Sequence, residues 1–173
     1  MFGQDRSDRS GGGLVCYVRD TFSCSVIDLN AIPSSSSSQT EFLAILVNDI
    51  QVLVICVYHP FWNDSSAHRD AMTRLTEIID SNRLIHGSEL KIILCGDFNG
   101  LRNDFDVIAD LTQLVPIVKR PTRGSNCLDQ ILTNFATDIK PSFSPPTGIS
   151  NTVLCFGSLS LAKPFVLQEA KDS

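Results

Sequence analysis

The segment Cys95-Gly96-Asp97-Phe98-Asn99-Gly100 closes an apolar run, Lys91–Cys95, that has the length of a short strand. Asp97 and Asn99 stand two positions apart. In extended backbone their side chains face the same way, while Phe98 faces the other way and can anchor the turn in the core. A carboxylate beside an amide suits phosphate ester chemistry. The carboxylate can hold a metal-bound water or handle a proton, and the amide NH2 can donate to a phosphoryl oxygen. Gly, Asp and Asn also favour turns, so an ordinary strand-ending turn accounts for the same residues. A calcium loop is excluded. Leu101 and Arg102 stand where an oxygen ligand and the bend glycine belong, and Ile108 where the closing glutamate belongs.

A second carboxylate, Asp129, lies in Cys127-Leu128-Asp129-Gln130-Ile131-Leu132 and shares a strand face with Ile131. A charge in an apolar strand calls for a partner or a metal, and orienting a histidine is one such role. A charge at an exposed strand edge is the plainer reading. Pro121-Thr122-Arg123 sets a hydroxyl beside a guanidinium, a pairing that can hold phosphate but that is common in loops. Tyr58-His59-Pro60-Phe61-Trp62 follows an apolar strand and either lips a cleft or pins a loop to the core. His68 and His86 fall on or after a helix, where a solvated position is the default, and no pair of histidines has metal-ligand spacing.

The elements that must position these groups are mostly strands. Leu14–Val18, residues 24–29, Phe42–Val47 and Gln51–Tyr58 read as strands, with Asn48-Asp49 turning the last two into a hairpin. Val52, Val54 and Cys56 alternate with Leu53, Ile55 and Val57, so this strand is apolar on both faces and belongs inside a layered structure. Residues 66–85 change period: Met72, Leu75, Ile78, Ile79 and Leu84 form a helical stripe, Ser65 or Ser66 can cap the start, and Gly87 can end it. Asp104–Gln113 reads as a short helix, and Ile117–Val118, Leu128–Leu132 and Val153–Phe156 as short strands. Many strands with one strong helix predict packed sheets with helical cover.

The chain has 173 residues, 43% hydrophobic and 19% charged, which suits one globular domain. Its net charge of −5 provides no general attraction to nucleic acid, and the densest basic cluster is Lys119, Arg120 and Arg123. The longest apolar runs are strand-sized, so no membrane span is expected, and no secretory signal is apparent at Met1. None of the six cysteines forms a CxxC pair, which predicts reduced, buried thiols and an intracellular, cytoplasmic or nuclear setting.

Five segments in one order resemble the endonuclease/exonuclease/phosphatase superfamily, above all the endonuclease domain of non-LTR (LINE-type) retrotransposons. They are Gly11–Arg19, Val57-Tyr58-His59-Pro60, Ile93–Asn99, Arg120-Pro121-Thr122-Arg123 and Leu128–Asn134. The last two favour the retrotransposon branch over a phosphoinositide or nucleotide phosphatase. The resemblance implies an α+β fold of two β-sheets packed face to face with outer helices, a four-layer α/β/β/α sandwich. It implies Mg2+-assisted attack of water on a DNA phosphodiester, and a reverse transcriptase domain as partner in the parent element. Carried over, Asn99 binds the scissile phosphate, and Asp97 manages the metal-bound water or leaving group as the weak metal ligand that remains. Asp129 orients the general-base histidine. Tyr58 joins the catalytic set, and Thr122 and Arg123 bind phosphate.

Two departures shape the expectation. The family opens with strands that carry an asparagine and a metal-ligating glutamate. This chain starts near Gly11–Gly13, and Glu41 falls at the wrong place to supply that glutamate. The family's closing Ser-Asp-His is absent from Thr147–Phe156. Either Asn151 and Thr152 replace Asp and His, or the two residues are deleted after Ser150, the reading we favour. Both remove the base, with His59 as a remote substitute. The expectation is a partial domain over 11–160, between a loose segment 1–10 and a tail 161–173. It is impaired in catalysis, incomplete at its N-terminus and prone to self-association through exposed strand edges.

Overall fold

The computed structural model describes residues 1–4, 13–32, 40–60, 65–144 and 154–159. In chain order these residues form β1 (Phe2–Gln4), β2 (Leu14–Cys16), β3 (Cys24–Val26), β4 (Glu41–Val47), β5 (Val52–Tyr58), α1 (Ser65–His86) and β6 (Lys91–Asp97). There follow α2 (Phe105–Thr112), β7 (Val115–Pro116), β8 (Asp129–Thr133), β9 (Ile139–Ser144) and β10 (Leu154–Leu159).

The hairpin of β4 and β5 is the centre. Asn48–Ile50 makes one 3-10 turn, and Gln51 takes a left-handed φ of 50° to re-enter the sheet. Because β5 is apolar on both faces, it is buried in the middle of a six-stranded sheet of order β3-β4-β5-β6-β8-β7. β5 and β6 run parallel and α1 connects them; the other pairings are antiparallel. Leu53 and Ile55 are fully buried, and each such side chain contributes about 1.5–3 kcal/mol relative to exposure.

One face of the sheet carries Phe42, Ala44, Leu46, Leu53, Ile55, Val57, Ile92, Leu94 and Leu132, and α1 seals it with Ala71, Leu75, Ile78 and Ile79. The helix ends as its sequence predicts: Gly87, at φ 98°, donates its N–H to Arg83 O at 2.8 Å. The stripe differs at its end. Leu84 is 88% exposed, and Asn82 takes the inward position, donating to Ile78 O at 2.8 Å. The other face carries Val52, Val54, Ile93, Cys95 and Ile131 against Ile139 and Phe143 of β9.

Two antiparallel pairs, β1–β2 and β9–β10, supply the second β-layer. Two β-layers with helical cover are therefore present, in a mixed α/β architecture. Among the described residues both α-helices pack on the first face, so the outer helical layer on the far side is not part of what is seen. Two further expectations are corrected. Residues 2–4 are not loose but pair with Leu14–Cys16. Ile117–Val118 is not a strand: β7 ends at Pro116, whose missing N–H suits an edge position. The sheet's edges, β3 and β7, are three and two residues long and pair with only part of β4 and β8.

Candidate functional site

Strand register builds the site. Asp97, the last residue of β6, is paired with Asp129, the first of β8. On its other side Asp97 is paired with Tyr58, the last residue of β5, and Tyr58 with Glu41, the first of β4. Alternation puts all four on the face that also carries Cys95 and Ile131. A row Glu41–Tyr58–Asp97–Asp129 thus crosses one end of the sheet. Glu41, out of place by its position in the chain, stands in this row two strands from Asp97, about 10 Å by strand spacing.

The turn after β6 differs from the extended geometry expected of it. Asn99 lies in a 3-10 turn with φ 33°. Its N–H reaches Asp97 Oδ1 at 3.2 Å, and its buried side-chain amide donates from Nδ2 to His59 O at 2.9 Å. Asp97 and Asn99 are therefore neighbours by a turn, not by strand alternation. One N–H of the amide holds backbone and does not point at a substrate. Phe98 does anchor the turn: it is fully buried, edge-on to Phe105 at 5.3 Å, and its N–H donates to Leu128 O at 2.8 Å. Gly96, at φ 152°, makes the close approach of β6 to β5, since a Cβ there would lie 1.8 Å from Val57 O.

Thr122 is buried, and its Oγ1 accepts from the N–H groups of Leu128 and Asp129 at 3.0 and 3.1 Å. It sets the entry of β8, and so the carboxylate of Asp129. Asp129 is not a charge at an exposed edge: its Oδ2 is buried with no hydrogen-bond partner. Burial, and then the neighbouring Asp129, raise the pKa of Asp97; the Asn99 contacts and the charge of Arg123 oppose the rise. Arg123 is itself exposed. Arg120 stacks on Phe143, 3.8 Å from its centroid. Gln130 and Asn134, which sequence reading left without roles, are structural. The Gln130 amide exchanges hydrogen bonds with both backbone groups of Val118, and Asn134 bonds Ile92 N and Leu90 O at the start of β6.

His59 is pinned in the core, 1% exposed, with Nδ1 2.7 Å from Thr40 Oγ1. Its backbone is the hub of the turn, donating to Asp97 O at 2.9 Å and accepting from Asn99. This placement removes it as a substitute base. His68 is not solvated either: it is half-buried against His59, with Nδ1 3.6 Å from Asp104 Oδ2. Thr40, His68 and Asp104 had no sequence signal, because their roles depend on tertiary contacts alone. Phe61, Trp62 and Thr147–Val153, with the positions read as the lost Ser-Asp-His, lie outside the described residues.

Two carboxylates, one with an unsatisfied buried oxygen, form a hard-oxygen donor set that fits Mg2+, an ion commonly held by one or two carboxylates and several waters. Among the described residues, no group of three or more His, Cys, Asp or Glu side chains is placed to share one metal ion.

No protein-family model and no curated protein matches the chain by sequence. Two of the solved structures similar in shape illustrate the match. One is the catalytic domain of human Nocturnin with a bound sulfate anion, at 15% identity and a TM-score of 0.44, matched over 70% of this chain and 53% of that one. The other is an endonuclease/exonuclease/phosphatase family protein from Bacteroides thetaiotaomicron, at 12% identity and a TM-score of 0.44, over 78% of this chain and 59% of that one. The chain spans between half and three fifths of the length of each solved chain it matches.

Proposed function

We propose that the chain is a nucleic-acid phosphodiesterase domain of the endonuclease/exonuclease/phosphatase type, derived from a LINE-type retrotransposon. It keeps the carboxylate floor of the site and lacks the base. The single observation that carries this reading is the Asp97–Asp129 pair, in register at one end of the sheet, with Asn99 and Thr122 fixing the two backbones on either side. The order of the five sequence segments supports the retrotransposon branch, with DNA as ancestral substrate and a reverse transcriptase as neighbour in the element.

In this reading Asp97 and Asp129 hold Mg2+ and orient water at the phosphate, Tyr58 lines the row beside them, and Arg123 offers charge from the rim. The cation, when bound, supplies Lewis-acid polarisation of the phosphoryl oxygen and lowers the pKa of its water. Proton removal is the missing part. The chain has three histidines, and none faces the row: His59 is locked on Thr40, while His68 and His86 belong to α1. Loss of a general base lowers the rate by about 10²–10⁴-fold.

Plasmid nicking by the purified chain, with and without Mg2+ and beside Asp97→Ala, tests this. The expected result is no Mg2+-dependent nicking above the variant, from protein shown to be folded. Mg2+-dependent nicking that Asp97→Ala abolishes would overturn the claim of impairment and keep the site. Nicking indifferent to Asp97 would overturn the site itself.

A further inference from the structure

Three thiols meet on the face of the sheet that carries the carboxylate row. Cys56 and Cys95 are register partners on the parallel strands β5 and β6, each two positions before a member of the row, Tyr58 and Asp97. Cys16 reaches them from the second β-layer. Alternation turns Cys16 toward the sheet and leaves its neighbours Val15 and Tyr17 exposed. β2 lies over β4 and β5 with Cα atoms within 8 Å, closer than the ~10 Å usual between packed sheets. Small side chains permit that approach. The Cys16 thiol hydrogen-bonds that of Cys56, and Cys56 hydrogen-bonds Cys95. All three are half-buried, and none is in a disulfide. We propose that Cys16 and Cys56 are a redox pair that closes to a disulfide, with a small-molecule disulfide as oxidant, and so ties the β1–β2 pair to the centre of the sheet.

Three thiols offer two bridges, and strand geometry chooses between them. Side chains at paired positions of adjacent strands leave the sheet side by side, so their Cβ atoms keep about the 4.8 Å strand spacing. A disulfide draws its Cβ atoms to about 3.8 Å and needs them to converge. Cys16 meets Cys56 from the facing layer, which is the converging arrangement. The hydrogen bonds run in one direction. The contact with Cys56, and then burial, push the Cys16 thiol above its ordinary value, so Cys16 donates. At Cys56 the contact with Cys16 lowers the pKa, while the contact with Cys95 and burial outweigh it and push it up to about 12. Cys56 thus accepts from Cys16 and donates to Cys95. Thiols held protonated react slowly, so closure takes minutes to hours. It runs in two exchanges. The Cys16 thiolate, its proton released to solvent, attacks the small disulfide RSSR, forming Cys16–S–SR and expelling RS−. The Cys56 thiolate then attacks the Cys16 sulfur, closing the bridge and expelling the second RS−. The two RS− take up the released protons. Two protein thiols are oxidised, and RSSR is reduced to two RSH.

The test incubates the reduced full chain with oxidised glutathione at pH 8, alkylates the remaining thiols in denaturant and maps the tryptic peptides. Cys24→Ser is the background, because Cys24 and Cys56 share the tryptic fragment 20–69. The expected product joins fragment 10–19, which carries Cys16, to 20–69, with two thiols lost to alkylation. Closing a loop of about 40 residues should raise the melting temperature by about 5–15 °C, and dithiothreitol should reverse the rise. Cys95→Ser should keep both the bridge and the rise, and Cys16→Ser should lose both. If Cys56→Ser fails to fold, Cys16→Ser and the peptide map decide. A Cys56–Cys95 bridge overturns the proposal, as does glutathione retained on Cys16 without closure. Thiols that all stay open to alkylation overturn it too, and so does a thermal gain that survives Cys16→Ser.

Discussion

Replacing Asp97 with Asn should stabilise the protein at neutral pH, at the expense of the residue most central to the proposed chemistry. Asp97 and Asp129 are register partners, and such pairs have Cβ atoms about 4.5–5.5 Å apart. Two like charges about 5 Å apart repel by about 3 kcal/mol at an effective dielectric constant of 20. Both residues are only half-buried, so water and salt reduce this to about 1 kcal/mol. Asparagine keeps the shape and the acceptor for Asn99 N–H and drops the charge. For a chain of this size, about 1 kcal/mol is about 2–4 °C in melting temperature. The sign with pH follows from the raised pKa of Asp97. A carboxyl with a raised pKa contributes stability that is full below its unfolded pKa and is lost as pH rises through the folded value. The advantage of Asp97→Asn should therefore be absent in acid, appear above pH 4 and be complete near neutrality. Urea unfolding across that range reads it directly. Added Mg2+ should stabilise the parent more than the variant and narrow the gap. A variant less stable than the parent at pH 7 would refute the repulsion argument. An equal gain at acid pH would place its cause elsewhere.

Two further substitutions probe how the site is held. Thr122→Val strands the buried N–H groups of Leu128 and Asp129 and should cost about 2–4 kcal/mol in urea unfolding, with Thr122→Ser recovering most of it. Gly96→Ala drives a Cβ into Val57 O and parts β5 from β6; we expect a loss of at least about 3 kcal/mol, seen as a lowered denaturation midpoint or an insoluble product. A Gly96→Ala protein as stable as its parent would mean that the two strands do not approach as described.

Periodicity identified the elements whose burial is one-dimensional. The apolar double face of β5, the stripe of α1 and its Gly87 stop are properties of short stretches, and they appear in the fold as read. Side chains that replace missing backbone were illegible. Gln130 acts as a strand partner for Val118 because backbone pairing with β8 ends at Ile117, whose N–H donates to Ile131 O. The site divides the same way. Asp97 and Asp129 were found from residue type and spacing and Tyr58 from the family resemblance, and strand register brings the three into one row. Asn99 was read by a strand rule that stops one residue short of it, since β6 ends at Asp97 and the chain then coils. Glu41 was set aside by its distance along the chain, whereas antiparallel pairing of β4 with β5 puts a strand's first residue beside its neighbour's last.

The charge of the row bears on what can bind there. Glu41, Asp97 and Asp129 stand in one row, with Tyr58 between the first two, on a chain whose net charge is already −5. Of the basic cluster, Arg120 is committed to Phe143, and only the charge of Arg123 is felt at Asp97. A phosphodiester approaching these carboxylates meets repulsion that one exposed guanidinium offsets weakly, since exposed pairs are worth at most about 1 kcal/mol. Neutralisation of the row by a divalent cation is thus a condition of substrate contact before it is a matter of rate. On this argument the weaker alternative, a remnant that merely binds nucleic acid, faces the same requirement as the enzyme. Binding without Mg2+ would have to use some other surface, and Asp97→Asn, by removing one of the charges, should weaken cation-dependent binding at this face while easing the repulsion that opposes binding there without the cation.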